Sequence, residues 1–169
     1  NSHRALQRQA IFQDLDPDAE KVAPAARELT KIVASQQQRR KLLVSGETYT
    51  ALSSLYSSTA GVSWYTKTNW MSGDPCATTS WYHVICPNSN GVVKELNLVG
   101  QNLSGSIPSE LGALTEITHG FSFAKHSLNG YIPSELGGLS KITSWWSLSK
   151  NSLVGSIPSE LAAMTGMNQ

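Results

Sequence analysis

Apolar residues alternate with other residues over three short stretches of the chain. Leu96 and Leu98 form the first apolar-x-apolar stretch, and the pattern returns over 121–123 and 146–148. A period of two residues indicates a strand with one buried face. Strands this short are not stable alone. The pattern therefore predicts three strands that stack beside one another in a parallel sheet.

Each predicted strand is followed by the same pentapeptide, IPSEL, at 107–111, 132–136 and 157–161. The copies are identical and their spacing is constant, so the chain contains an internal repeat. Proline has no N–H, which disfavours a central sheet strand on this return side, whereas Ser-Glu-Leu can begin a short helix. A single copy buries too little apolar surface to fold, so neighbouring copies must cover one another. The repeated isoleucines expected inside are Ile107, Ile132 and Ile157.

The skeleton LxGxIPxxL after an apolar-x-apolar strand resembles leucine-rich repeats of the plant type, over about residues 92–166. The resemblance implies an α/β solenoid, a short right-handed leucine-rich repeat superhelix with a parallel β-sheet. Residues 92–169 would form three repeats, with the C-terminal end uncapped. An uncapped coil exposes apolar surface, so we expect either that the natural chain continues or that something covers this end.

The resemblance also implies a ladder of side chains at the turn after each strand. Asn151 stands where this family places an Asn whose side chain bonds the backbone of the turn. Gln101 and His126 take that place in the other two copies. These departures predict a less regular ladder there.

Residues 46–91 lack the repeat, but Tyr49, Leu52, Leu55 and Tyr56 share one helical face, and Gly61 is a plausible stop signal. The segment resembles the N-terminal capping domain of plant-type leucine-rich repeat proteins, in which a helix shields the first coil.

Two cysteines, Cys76 and Cys86, follow this helix. They could form one disulfide, or part of a metal site with His83, although the spacing matches no zinc pattern. The resemblance implies the disulfide, which needs an oxidising compartment.

Residues 1–45 lie outside the resemblance and are predicted to form a helical arm or tether. Asp16 before Pro17 is a helix start signal, and an apolar stripe with helical spacing follows, which includes Leu29, Ile32 and Val33. The segment carries eight basic and five acidic residues, against five and seven in the rest of the chain. It could bind a partner, tether the protein or pack against the cap.

Charge and motifs narrow the functional classes. A formal net charge of +1 does not favour binding to nucleic acid. No apolar run in the sequence reaches the length of a transmembrane segment. No nucleophile, phosphate-loop or metal motif stands in a supporting context. Glu110, Glu135 and Glu160 occupy equivalent repeat positions, which indicates a surface role rather than catalysis. We therefore expect no enzyme activity, no cofactor and no bound metal.

The solvent side of the predicted sheet is the candidate binding face, because solenoids present such columns to ligands. Trp145 stands out there, either as a binding hot spot or as a side chain tucked against its neighbours. Asn102-Leu103-Ser104 is a glycosylation sequon at a turn. The candidate binding residues are Lys94, Glu95, Asn97, His119, Ser122, Lys125, Trp145, Ser147 and Lys150.

The resemblance implies non-catalytic recognition, most simply of a protein or peptide, with carbohydrate as another possible ligand. A second hypothesis is a structural subunit whose arm and C-terminal coil dock into a larger assembly, which could be membrane-associated. A third is adsorption to ice or to a polysaccharide surface. We expect an extracellular or cell-surface location, or alternatively an oxidising organelle lumen.

Overall fold

The computed structural model describes residues 19–77, 80–87 and 91–166. The chain divides into two compact units, Asn1–Arg40 and Lys41–Gln169. Helix α1 (Ala19–Ser58) runs through residue 45 without a break, so the predicted boundary between arm and cap is not a break in secondary structure. The predicted start signal at Asp16 and Pro17 lies outside the described residues.

The described side chains of the first unit include three exposed apolar ones, Leu29, Ile32 and Val33. They have the helical spacing expected of a stripe, so the predicted apolar face of the arm is present on α1. Among the described residues, no helix is long and apolar enough to cross a bilayer.

The last turns of α1 carry the buried face of residues 46–91, the segment predicted to be a cap and called the cap below. Leu52 and Leu55 are fully buried, as their spacing predicts. The helix ends at Ser58, and the left-handed residue after it is Ala60 (φ 53°) rather than the predicted stop, Gly61. Gly61 has another role, because a Cβ there would overlap the ring of Tyr56.

An aromatic cluster fills the cap below this helix. The ring centroids of Trp64 and Trp70 lie 4.7 Å apart, and those of Trp70 and Trp81 lie 5.0 Å apart. Each indole N–H donates to a backbone carbonyl oxygen, at 3.0 Å for Trp64, 2.9 Å for Trp70 and 3.0 Å for Trp81. Buried indoles need such partners, so the three tryptophans are structural.

A disulfide joins Cys76 and Cys86, whose Cα atoms lie 5.4 Å apart. It closes the loop that carries Trp81, so it fixes one wall of the aromatic cluster. The pairing implied by the family resemblance is confirmed, and the alternative of a metal site with His83 is wrong because both sulfurs are used.

The predicted parallel sheet is present. Strands β2 (Glu95–Asn97), β4 (Gly120–Ser122) and β6 (Trp145–Ser147) pair in parallel, and β1 (Val84–Ile85) adds an antiparallel edge beside β2. The register aligns Leu96 with Phe121, and Phe121 with Trp146. These central residues point into the core, as the alternation predicts.

A second sheet was not predicted. Strands β3 (Ser104–Ser106) and β5 (Ser127–Asn129) pair in parallel, and Ser152 N–H continues the pairing by donating to Leu128 O at 2.8 Å. These segments are mostly polar and lack the alternation that indicates a strand. Their pairing follows from the stacking of the coils, which brings equivalent backbones side by side.

Short 3-10 helices form the return side of each coil, as the pentapeptide predicts. They span Ser109–Ala113, Ser134–Gly138 and Ser159–Ala163, and each begins directly after its proline. Gly112 lets the first approach the second closely, because a Cβ there would overlap the Glu135 carbonyl oxygen.

Burial decreases along the stack of coils. Ile107 keeps 4% of its surface exposed, Ile132 is partly buried, and Ile157 is 76% exposed. The prediction that all three fill the interior is wrong for Ile157, because within the described residues no coil lies beyond it. Among the described residues, the third coil therefore presents an apolar surface; whether this end is uncapped stays a prediction.

The burial difference predicts unequal effects of one substitution at two equivalent positions. Ile107→Ala should lower the free energy of unfolding by about 2–5 kcal/mol, because it opens a cavity in the core. Ile157→Ala, in an identical pentapeptide, should change it by about 0.5 kcal/mol or less. Urea unfolding of both variants checks this, and equal losses at the two positions would contradict the described stack.

Candidate recognition surface

The outward side of β2, β4 and β6 is the candidate recognition surface, here called the front face. Since the central residue of each strand points into the core, its two neighbours point outward. The front face therefore consists of two columns that cross the three strands. One column is Glu95, Gly120 and Trp145, and the other is Asn97, Ser122 and Ser147.

Most predicted binding residues of these strands lie on the front face, with one correction. Glu95, Asn97, Trp145 and Ser147 are partly buried and keep exposed surface. Ser122 exposes only 3% of its surface. It lies on the central strand with a neighbouring strand on each side, so its prediction as an exposed contact is wrong.

Lys94 and His119 lie beside the front face, at the residues that precede β2 and β4. Lys94 Nζ contacts Glu116 Oε2 at 3.3 Å, and Glu116 also pairs with Lys141. The hydrogen bond from Lys141 is the main reason that the pKa of Glu116 is lowered. Glu116 was not predicted from the sequence, because its pairing with two lysines depends on the alignment of three coils. Lys94 is thus engaged in an ion pair, whereas His119 is exposed.

The predicted ladder is present after β6. Asn151 Nδ2 donates to Phe123 O at 2.7 Å and to Leu148 O at 2.9 Å, while its Oδ1 accepts the Leu128 N–H at 3.1 Å. One side chain thus satisfies donors and acceptors of two coils, which holds the turn of one coil to the next.

His126 performs the same two tasks one coil earlier. Its Nδ1 accepts the Leu103 N–H at 3.3 Å, and its Nε2 lies 2.6 Å from Leu98 O. These partners require a neutral ring with the proton on Nε2. The predicted irregularity is therefore wrong at His126. It holds at Gln101, whose Oε1 instead accepts the Thr66 N–H of the cap at 3.0 Å.

Lys125 and Lys150 directly precede two ladder residues and are both exposed. Both adopt left-handed backbone conformations, with φ of 65° and 57°. The ladder thus places two positive charges at equivalent positions one coil apart, beyond the C-terminal ends of β4 and β6.

Trp145 lies across the front face rather than away from it. A Cβ built on Gly120 would overlap Cδ2, Cε2 and Cζ2 of the indole, at nearly equal separations. A point so close to three adjacent ring atoms lies above the ring, not at its edge. The indole therefore stacks face-on upon the Gly120 backbone, as the packing interpretation of Trp145 expects, and its other face points away from the sheet.

Other candidate chemistry lies away from the front face. Asn102 is exposed in a left-handed turn (φ 62°), and its Nδ2 donates to Ser63 O at 3.1 Å. A pocket of about 140 Å³ is lined by Glu47, Thr48, Val92, Val93 and 113–116. Within the part of the chain that the structure describes, no group of three His, Cys, Asp or Glu side chains could hold a metal ion.

The chain is similar in sequence to plant receptor kinases. A probable leucine-rich repeat receptor-like protein kinase of Arabidopsis thaliana is 41% identical over 49 residues, which is 29% of this chain and 5% of that protein. The nodulation receptor kinase of Pisum sativum is 33% identical over 90 residues, which is 52% of this chain and 8% of that protein. The chain thus corresponds to a small part of both relatives. No protein-family model matches it.

Solved structures share the fold. The BIR2 ectodomain of Arabidopsis thaliana has a TM-score of 0.58 and 28% identity, with 72% of this chain and 64% of that chain covered. The HAESA ectodomain of the same plant, solved with an IDA peptide hormone, has a TM-score of 0.56 and 25% identity, covering 73% and 20%. A plant ice-binding protein has a TM-score of 0.59 and 23% identity, covering 72% and 38%, which shows the fold alone.

The ladder geometry predicts a pH dependence of stability. Burial is the main cause that lowers the pKa of His126 below its ordinary 6.5. The unfolded chain therefore binds the proton more readily, and the contribution of His126 to stability is complete above about pH 6.5 and is lost as the pH falls through the lowered pKa. Protonation would also place an N–H opposite the Leu103 N–H. His126→Asn keeps one acceptor and one donor without titrating, so its stability should fall less between pH 7 and 5 than that of the wild type.

Urea unfolding across this pH range measures the difference. His83, whose pKa burial also lowers, remains in both proteins and contributes equally. His119→Asn, at an exposed position, serves as the control and should keep the wild-type profile. Identical pH profiles for His126→Asn and the wild type would show that His126 is not the titrating group.

Proposed function

Since the chain is a leucine-rich repeat protein of the plant type, we propose that it is a non-catalytic recognition module that binds a protein or peptide on the front face. The observation that carries the proposal is the front face itself. Three strands in register expose carboxylate, amide, hydroxyl and indole groups side by side on one sheet. Positioned polar groups around an aromatic anchor are typical of protein-binding surfaces.

The similar HAESA ectodomain, which was solved with a peptide hormone, supports a peptide-sized ligand. The front face spans only three repeat strands and the β1 edge. Its area is therefore smaller than that of a usual protein–protein interface, about 800 Å² per partner. A short peptide or one segment of a larger partner therefore fits this surface better than a whole globular domain does. Carbohydrate remains an alternative ligand.

We also propose an extracellular location. Two observations support it: the Cys76–Cys86 disulfide, which persists in oxidising compartments, and the likeness to plant ectodomains. The sequon at Asn102 is exposed, so a glycan there would be compatible with the fold. The alternative location is an oxidising organelle lumen.

A second candidate function is a structural subunit of a larger assembly. Exposed apolar side chains favour it at two places, Leu29, Ile32 and Val33 on α1 and Ile157 with Val154 on the third coil. Such surfaces are common at contacts with other proteins. Under this hypothesis the arm and the third coil, rather than the front face, would make the contacts.

Adsorption to ice or polysaccharide is a weaker candidate. Its support is the second sheet, where the aligned pair Ser104 and Ser127 is exposed, as is the next aligned pair, Ser106 and Asn129. The aligned polar residues are few, and in the described residues the second sheet is extended by Ser152, whose N–H donates to Leu128 O. An effect of the purified protein on ice growth would favour this candidate over recognition.

Matched substitutions on the two sheets test the proposed function. Ser147→Tyr places bulk on the front face, and Ser127→Tyr places the same bulk on the second sheet. Partners captured from the organism's extracellular fluid and identified by mass spectrometry should bind the wild type and Ser127→Tyr, but bind Ser147→Tyr at least about tenfold more weakly. Capture that is insensitive to Ser147→Tyr would reject the front face. Copurification in a large complex that is lost when Ile157 is substituted would favour the subunit hypothesis.

A further inference from the structure

The front face holds an aromatic surface that is already in position. Trp145 stacks face-on upon Gly120, and any side chain at Gly120 would displace it. The outer face of the indole is directed away from the sheet, and Trp145 keeps part of its surface exposed. No other described aromatic ring stacks upon it, in contrast to the neighbouring Trp146, which stacks on Phe121.

A carboxylate flanks this indole. Glu95 is aligned with Gly120 in the adjacent strand, and Gly120 is aligned in turn with Trp145. Neighbouring strands lie about 4.8 Å apart, so an indole lying over Gly120 has the Glu95 side chain beside it on the same face of the sheet.

The charge of Glu95 is not neutralised by a neighbour. Across residues 19–77, 80–87 and 91–166, its carboxylate accepts no hydrogen bond and forms no ion pair, although Glu95 is partly buried. Lys94, the adjacent cation, is paired with Glu116. Glu95 acts electrostatically on His83, but burial of that ring lowers its pKa more than Glu95 raises it, so His83 is mostly neutral at neutral pH.

An exposed indole face beside an unpaired carboxylate has a specific complement. A guanidinium group is planar and stacks on Trp, and its N–H donors can bind a carboxylate at the same time. An ammonium group provides the charge without the flat surface, and a sugar ring provides the surface without the charge.

We propose that Trp145, supported by Gly120, and Glu95 together bind an arginine side chain of a peptide or protein partner. The inference rests on the proposed function and deepens it, because it names the residue type that the front face recognises. Trp145 supplies the stacking surface, Glu95 supplies the charge, and Gly120 is the positioning residue that lets the indole lie flat.

Blocked tripeptides test the site directly. Acetyl-Gly-Arg-Gly-amide is titrated into the isotopically labelled full chain, and the indole N–H signal of Trp145, assigned by its absence in Trp145→Phe, is followed by NMR. The arginine peptide should cause a saturable shift. The same peptide with citrulline, which has nearly the same shape and no charge, should bind at least about fivefold more weakly, and the lysine peptide should also bind more weakly.

Matched variants separate the contribution of the Glu95 carboxylate to arginine binding from that of the Trp145 indole. Glu95→Gln should weaken the arginine peptide about fivefold or more, whereas Glu110→Gln, at an exposed carboxylate on the first return helix, should leave binding unchanged. Gly120→Ala should displace the indole and abolish the shift while Glu95 remains. If Gly120→Ala fails to fold, the comparison of Glu95→Gln with Glu110→Gln still tests whether Glu95 contributes to binding of the arginine peptide.

Three results would overturn the inference: no saturable shift with the arginine peptide, equal binding of arginine and citrulline, or an affinity that Glu95→Gln leaves unchanged. The proposed function has a separate test, because Ser147→Tyr blocks the front face without changing Trp145 or Glu95. Loss of partner capture in Ser147→Tyr together with an absent arginine site would retain the recognition function and reject only this site.

Discussion

Burial of apolar side chains between successive coils is the interaction on which the rest of this structure depends. Each coil offers one row of leucines and isoleucines, and a row is removed from water only when another coil or the cap covers it. Leu103 and Leu128 are fully buried in the first two coils, whereas Leu153 at the same position of the third is only partly buried. Stacking also sets the register of both sheets, and thereby the columns of the front face.

The repeat explains how much could be predicted. An apolar-x-apolar strand before a proline-bearing return identifies the coil, its inward residues and the parallel sheet, because these follow from local periodicity. The second sheet could not be predicted in this way, since Ser-Gly-Ser and Ser-Leu-Asn pair only because stacking aligns their backbones. The exposure of Ile157 depends on what lies beyond it, and an identical pentapeptide contains no information on that.

The site was predicted less completely, for a related reason. Alternation assigns Glu95, Asn97, Trp145 and Ser147 to the outer side, but it does not show that Ser122 is covered between two strands. Nor does it show that the indole of Trp145 lies on Gly120, because that contact joins residues 25 positions apart. His126 likewise replaces an Asn by offering one acceptor and one donor with suitable geometry, an equivalence of hydrogen bonding rather than of residue type.

Amide hydrogen exchange at two equivalent serines tests the mutual covering of coils most directly. Ser127 N–H donates to Leu103 O at 3.0 Å and Ser152 N–H donates to Leu128 O at 2.8 Å, so both amides bond the preceding coil in the same way. Within residues 91–166, the coil of Ser127 is covered on both sides and that of Ser152 on one. The Ser127 amide should therefore exchange at least about tenfold more slowly. Equal protection of the two amides, or stronger protection at Ser152, would contradict the account.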